Sequence, residues 1–159
     1  MLFSIAAFVG GAVLVVIDQM IKAWATAQLA PVGNMPLIPG VVELRYCLND
    51  GAAFSSFKGQ QVFLIAFTGV ALLGIATYLL WKRPKSRLEY TAWLLVLAGG
   101  VGNLIDRISN QQVVDYINLL FMDFAVFNFA DILVCTGVGL LVLYILLEEI
   151  KTKKGSDQE

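Results

Sequence analysis

The residues able to do chemistry are acids and amides set among apolar neighbours. Asp18 and Lys22 stand four apart inside one apolar run, with Gln19 beside them. Asn103, Asp106 and Arg107 close a second run, just after Gly99-Gly100-Val101-Gly102. Asp115 sits alone in Val113-Val114-Asp115-Tyr116-Ile117, and Asn128 and Asp131 open a third run in Phe127-Asn128-Phe129-Ala130-Asp131. A charge at mid-bilayer costs about 3 kcal/mol on insertion scales. Two acids sharing a site at an apolar boundary cannot both ionise readily, so one keeps its proton while the other is a base. The base takes a proton from water, the water attacks a carbonyl, and the acid donates to the carbonyl oxygen or the leaving amine. That chemistry is aspartic peptide hydrolysis. Asp115 and Asp131 are the expected pair: one lies in an outer segment and the other starts a rigid helix, so both can face a substrate arriving from lipid.

Composition removes the main alternatives. The chain has 159 residues and no His, which excludes a Ser-His-Asp triad, a Cys-His pair and a His-ligated metal. Cys47 and Cys135 are far apart with no CxxC, so neither a metal site nor a disulfide is expected. Net charge is −1 with no basic patch outside the membrane flanks, which gives nucleic-acid binding little support. The expected chemistry needs no metal and no cofactor.

The elements that position these residues follow from hydropathy. Hydrophobic residues are 58% of the chain and charged ones 14%, against about 45–50% and 25% in soluble domains. This excess points to one integral membrane domain over 1–159. Four apolar runs, about 2–29, 62–81, 88–105 and 126–147, each approach the roughly 20 residues of a membrane span. Backbone in hydrocarbon must satisfy its own hydrogen bonds, so the runs are predicted helices. The first lacks a basic start and contains Asp18 and Lys22, so it reads as a retained helix, not a cleaved signal peptide.

Lys82, Arg83, Lys85 and Arg87 crowd the short turn after the second run, and Lys151, Lys153 and Lys154 follow the fourth. The positive-inside rule places that turn and both termini in the cytoplasm. The two longer connections then face outward, and the acids and amides gather at the outer boundary. The first connection is punctuated by Pro31, Gly33, Pro36, Pro39 and Gly40, and Val41–Cys47 then alternates with strand period, predicting a small β-element on the outer face. The outer loop, about 106–125, reads as a short interfacial helix or a lid. The tail 151–159 is polar and predicted to fray.

Each motif also has a purely structural reading. Asp18 and Lys22 can be an i,i+4 pair that lets both charges enter the membrane. Asp106 and Arg107 can anchor a helix at the interface. Asn128 and Asp131 fall where a helix cap and a dipole-favoured carboxylate are expected. Asn49-Asp50-Gly51 can be a hairpin turn, and the glycines of 99–102 can serve helix packing. Only Asp115 gains nothing obvious from such a role. A proton-coupled carrier would use Asp18, Lys22 and Asp131 as a relay, yet the acids cluster at one face and no inverted repeat is visible. A structural subunit leaves Asp115 unexplained. A Ser/Lys protease would need Ser55 or Ser56 with Lys58, in a loop with no sign of burial.

The same residues carry a resemblance. Asp18-Gln19-Met20-Ile21-Lys22, Asn49-Asp50-Gly51-Ala52-Ala53-Phe54, 99–107, 113–117 and 127–131 resemble, in order, the motif set of bacterial lipoprotein signal peptidases (type II signal peptidases). The resemblance implies an aspartic endopeptidase of the bacterial inner membrane that cuts prolipoproteins before a diacylglyceryl-modified cysteine. It implies Asp115 and Asp131 as the catalytic acids. Asn49, Asn103, Arg107 and Asn128 match positions that hold substrate or the peptide antibiotic globomycin, and Asp18, Lys22, Gly51 and Asp106 match supporting positions. The family's outer β-cradle would match about 36–57, and membrane lipids are further implied partners. Two positions depart from the common pattern: Asp50 stands where the family often has Thr, and Ile132 where it often has Ser.

Overall fold

The computed structural model describes residues 2–51, 57, 59–82, 84 and 86–156. Ser55, Ser56 and Lys58, the far part of the expected β-element, Arg83, Lys85 and the last three residues lie outside them. The elements in order are α1 (Leu2–Trp24), β1 (Asn34–Ile38), β2 (Val42–Asn49), α2 (Gln61–Trp81), α3 (Arg87–Asn110), β3 (Val113–Leu119) and α4 (Phe129–Ser156). α1 widens into a π-helical turn over Ala25–Leu29. Four helices, Phe3–Leu29, Gln61–Trp81, Arg87–Asn110 and Phe129–Lys154, are long and apolar enough to cross a membrane. The protein is a multi-pass membrane protein, mainly helical, with a small antiparallel sheet.

α3 is the central helix. It packs most extensively on α4 and also carries α1 and α2 on its flanks. Two glycines of α3 permit close approaches, Gly99 that of α4 and Gly102 that of Asp18 on α1. A Cβ on Gly99 would collide with the Ala130 carbonyl, and one on Gly102 would strike the Asp18 carboxylate. The outward faces of α1, α2 and α4 expose Val16, Met20, Phe67, Val70, Leu73, Val142 and Ile145. Water would penalise that surface and lipid solvates it.

The sheet order is β1-β2-β3, antiparallel throughout. Where a short helix or lid was expected in the outer loop, the chain instead forms β3. Gln111 turns left-handed (φ 60°) and ends α3. Val113, Val114 and Ile117 then pair with β2, with Cys47 opposite Asp115 and Asn49 opposite Val113. The apolar spacing of this segment fits either period, and the non-local pairing decides it. Phe127 folds back to exchange backbone hydrogen bonds with Ile117 (2.8 and 3.0 Å), which brings the start of α4 against β3. The tail expected to fray stays helical through Ser156, supported by Lys151–Glu148 and Lys153–Glu149 pairs at helical spacing. Cys47 is half-buried and Cys135 exposed, both as free cysteines.

Candidate active site

β3 and α4 each deliver one acid to a common cavity. Strand alternation turns Asp115 inward between Val114 and Tyr116, and it is 2% exposed. Asn49, at the end of β2, donates from Nδ2 to Asp115 Oδ2 at 2.9 Å. Asn128 donates from Nδ2 to Asp115 Oδ1 at 2.6 Å. Burial pushes the Asp115 carboxyl up to about 6, with the Asp131 charge adding to the rise and the two amide hydrogen bonds opposing it.

Asp131 lies in the first turn of α4. Asn128 caps that helix: its Oδ1 accepts from the Asp131 amide at 3.0 Å, while Asp131 Oδ2 accepts from the Asn128 amide at 3.0 Å. This reciprocal cap satisfies two amides of the helix start and fixes the carboxylate's rotamer. Asn103 on α3 donates from Nδ2 to Asp131 Oδ1 at 2.7 Å. Asn128 Nδ2 also reaches Asn103 Oδ1 at 3.1 Å, so one side chain is hydrogen-bonded into the shells of both acids.

Beneath the acids lies a buried charge cluster. Lys22 Nζ sits 2.9 Å from Asp18 Oδ2, 3.0 Å from Asp106 Oδ2 and 2.8 Å from Asn103 Oδ1. Both carboxylates also grip backbone. Asp18 Oδ1 accepts from the Ala130 amide at 3.1 Å, and Asp106 Oδ2 accepts from the Val114 amide at 3.2 Å. These are the residues immediately before Asp131 and Asp115. The ammonium thus ties together the backbone that carries each acid. Gln19 closes the cluster by donating to Asp106 Oδ1 at 3.1 Å and to the Gly102 carbonyl at 3.1 Å.

Arg107 reaches across the cavity from α3. Its Nη2 donates to the Gly51 carbonyl at 3.1 Å, and its buried Nε has no partner among the described residues. Asn49 Oδ1 accepts from the Gly51 amide at 2.9 Å, so the Asn49–Gly51 segment is a local side-chain turn after β2.

The cavity encloses about 600 Å³. Asp115, Asp131, Asn49, Asn103 and Arg107 form its polar end, and Phe124, Val126, Val134 and Cys135 extend it along apolar walls. Of the ten residues the sequence singled out, five line this space directly. Asn128, Asp18, Lys22, Asp106 and Gly51 stand behind them through the bonds above. Sequence reasoning missed Tyr116, whose hydroxyl accepts from the Phe129 amide at 3.1 Å and helps seat the start of α4. Strand alternation turns it away from Asp115, so nothing in its spacing marks it. The apolar wall was missed as well, since a Phe or Val beside a site looks like any membrane residue. Among the described residues, no group of three or more His, Cys, Asp and Glu is arranged to hold a metal ion.

Residues 11–147 match the family model for signal peptidase (SPase) II. The chain belongs to the signal peptidase II family. It is therefore a peptidase. Lipoprotein signal peptidases of Streptococcus pyogenes serotypes M2 (strain MGAS10270) and M6 (strain ATCC BAA-946 / MGAS10394) are 44% and 43% identical to it over 137 residues. Each alignment covers 86% of this chain and 90% of the relative. Two solved structures of bacterial membrane enzymes, obtained by the in meso method at 2.3 and 1.9 Å, superpose with TM-scores of 0.82 and 0.77. They are 28% and 29% identical and cover 92% and 90% of this chain, and 88% and 92% of their own. The likeness to these structures and the family match thus extend well beyond the motifs, through all four helices.

Proposed function

We propose that this protein is an aspartic endopeptidase that removes signal peptides from prolipoproteins, cutting before a diacylglyceryl-modified cysteine. One observation carries the reading: two acids from separate elements, Asp115 and Asp131, line one cavity and are joined through Asn128. One carboxylate takes a proton from water, and the water oxygen bonds to the scissile carbonyl carbon. The other carboxyl gives its proton to the carbonyl oxygen. Collapse of this tetrahedral species breaks the C–N bond: the proton held by the base leaves on the amine, and one hydroxyl returns its proton to the carboxylate that had donated. The acids share one proton as a pair.

Asn49, Asn103 and Arg107 surround the acids with donors suited to the carbonyls of an extended peptide, or to globomycin. Asn128 holds the dyad, while Asp18, Lys22, Asp106 and Gly51 keep the frame. The apolar end of the cavity suits the acyl chains of the lipid-modified cysteine. The relatives' lipoprotein substrates and the basic turn at the far end of the bundle support a bacterial inner-membrane protein with cytoplasmic termini and its site toward the outer face.

The test is cleavage of a diacylglyceryl-modified prolipoprotein by purified protein in detergent, with EDTA present. Turnover is expected to persist in EDTA and to stop with globomycin. Asp115→Asn and Asp131→Asn should each abolish it in protein that still unfolds cooperatively. Full activity in either variant removes that residue from the pair, and loss of wild-type activity in EDTA overturns the metal-free mechanism.

A further inference from the structure

A second hollow lies at the other end of the bundle, far from the acids. α1 and α2 both pack on α3 and, among the described residues, scarcely touch each other. Between them, where α3 begins, runs a groove of about 310 Å³. Ile5 and Phe8 of α1 line one side, Leu79 and Leu80 of α2 the other, and Tyr90 of α3 forms its base.

Tyr90 is the unusual member. It is 2% exposed and held edge-on between Phe3 and Phe8, with ring centroids 5.5 and 6.3 Å away. Its hydroxyl is buried and has no hydrogen-bond partner among the described residues. Buried hydroxyls almost always find a partner, because losing water without replacement is costly. Besides Tyr90, Ser4 is the one polar residue among those lining the groove, and two hydroxyls give an isolated water few companions there. An acceptor must then come from outside the chain, and in a bilayer the acceptors at interfacial depth are lipid ester carbonyls.

Two cations stand close along the chain to residues that line the groove. The Arg87 guanidinium lies 5.4 Å from the centroid of Phe3, the ring that packs on Tyr90. Lys82 follows the end of α2, just beyond Leu79 and Leu80. Both side chains are exposed. Arg87 stands three residues, about 4.5 Å of helix rise, before Tyr90. That is the order in which a glycerophospholipid presents its phosphate and then its esters.

We propose that this groove binds one anionic glycerophospholipid from the leaflet opposite the acids. One acyl chain lies between α1 and α2, an ester carbonyl accepts the Tyr90 hydroxyl, and the phosphate rests between Arg87 and Lys82. The site is separate from the peptidase reading and does not depend on it.

The experiment uses the full chain in detergent, equilibrated with equimolar dioleoylphosphatidylglycerol and dioleoylphosphatidylcholine and analysed by native mass spectrometry. One phosphatidylglycerol per protein is expected, favoured about fivefold or more over phosphatidylcholine. Arg87→Gln with Lys82→Gln should bring the two lipids to parity. Equal retention of both by the wild type, or a dimer that carries no lipid, overturns the proposal. Tyr90→Phe supplies a second readout in which the sign decides. In lipid-free detergent it removes an unpartnered hydroxyl and should raise the unfolding midpoint. With phosphatidylglycerol bound it removes a hydrogen bond and should lower that midpoint. A rise under both conditions shows that no lipid acceptor reaches the hydroxyl, and overturns the assignment.

Discussion

Asp115 shows how burial and chemistry are coupled in a single side chain. Its usual ionisation lies at 3.8, and in the folded protein at about 6. Below about pH 4 the folded and unfolded states both hold the proton, and ionisation costs the fold nothing. Between about pH 4 and 6 the unfolded carboxyl ionises while the folded one keeps its proton, so stability falls by up to about 3 kcal/mol, and the loss is complete once the folded carboxyl ionises above 6. Asp115→Asn removes that pH-dependent loss. It also sets an amide N–H against the donors of Asn49 or Asn128, a penalty of about 1 kcal/mol that does not vary with pH. The difference in unfolding midpoint between Asp115→Asn and the wild type should therefore grow in the variant's favour from pH 4 to pH 7. Thermal melts in one detergent across that range measure it, and a flat difference would mean that Asp115 ionises as freely as in water. Alone among the singled-out motifs, Asp115 lacked a structural reason in the sequence. The reason is visible only in three dimensions: its partners Asn49 and Asn128 come from positions 66 and 13 residues away.

Among the elements, the helices were legible and the outer segments only partly so. Apolar length alone located all four spans, because backbone in lipid admits no other solution. β3 was hidden because its identity depends on pairing with β2, and Tyr116 because its role depends on α4. The convergence of the acids followed from topology, but the device that holds them did not. Asp18 and Lys22 look like a private i,i+4 pair in the sequence. In the fold Lys22 also binds Asp106 and Asn103, and the two carboxylates hold the amides preceding Asp131 and Asp115. Removing the ammonium leaves two buried carboxylates facing each other. Lys22→Met should therefore cost about 3–5 kcal/mol, as breaking a buried ion pair does. Adding Asp106→Asn removes one of the stranded charges and should recover part of that loss. Unfolding of the single and double variants in detergent tests this. If Lys22→Met alone is as stable as the wild type, the cluster is not what fixes the backbone of the two acids.

At the scale of the whole molecule, α2 explains how a peptidase in a bilayer admits its substrate. α2 and α4 flank α3 without substantial packing between them among the described residues, and the cavity lined by Asp115 and Asp131 occupies that gap. Thr68 of α2 contributes to one side, and Val134, Cys135 and Thr136 of α4 to the other. Cys135 is exposed and lies one turn from Asp131, so the cavity opens sideways toward lipid. The proposed function has a substrate whose cysteine carries acyl chains slide in here without leaving the bilayer. On the proposed reading, Cys135 sits where those chains pass and takes no part in bond breaking. Cys135→Trp should narrow the apolar end and leave the dyad untouched. KM for the diacylglyceryl substrate should rise about tenfold, roughly 1.4 kcal/mol of lost binding, with kcat changed much less. Cys135→Ser, which keeps the volume, should behave as the wild type. Steady-state kinetics on lipid-modified substrate separate the outcomes. A fall in kcat at constant KM would place Cys135 beside the reacting bond instead of along the lipid path.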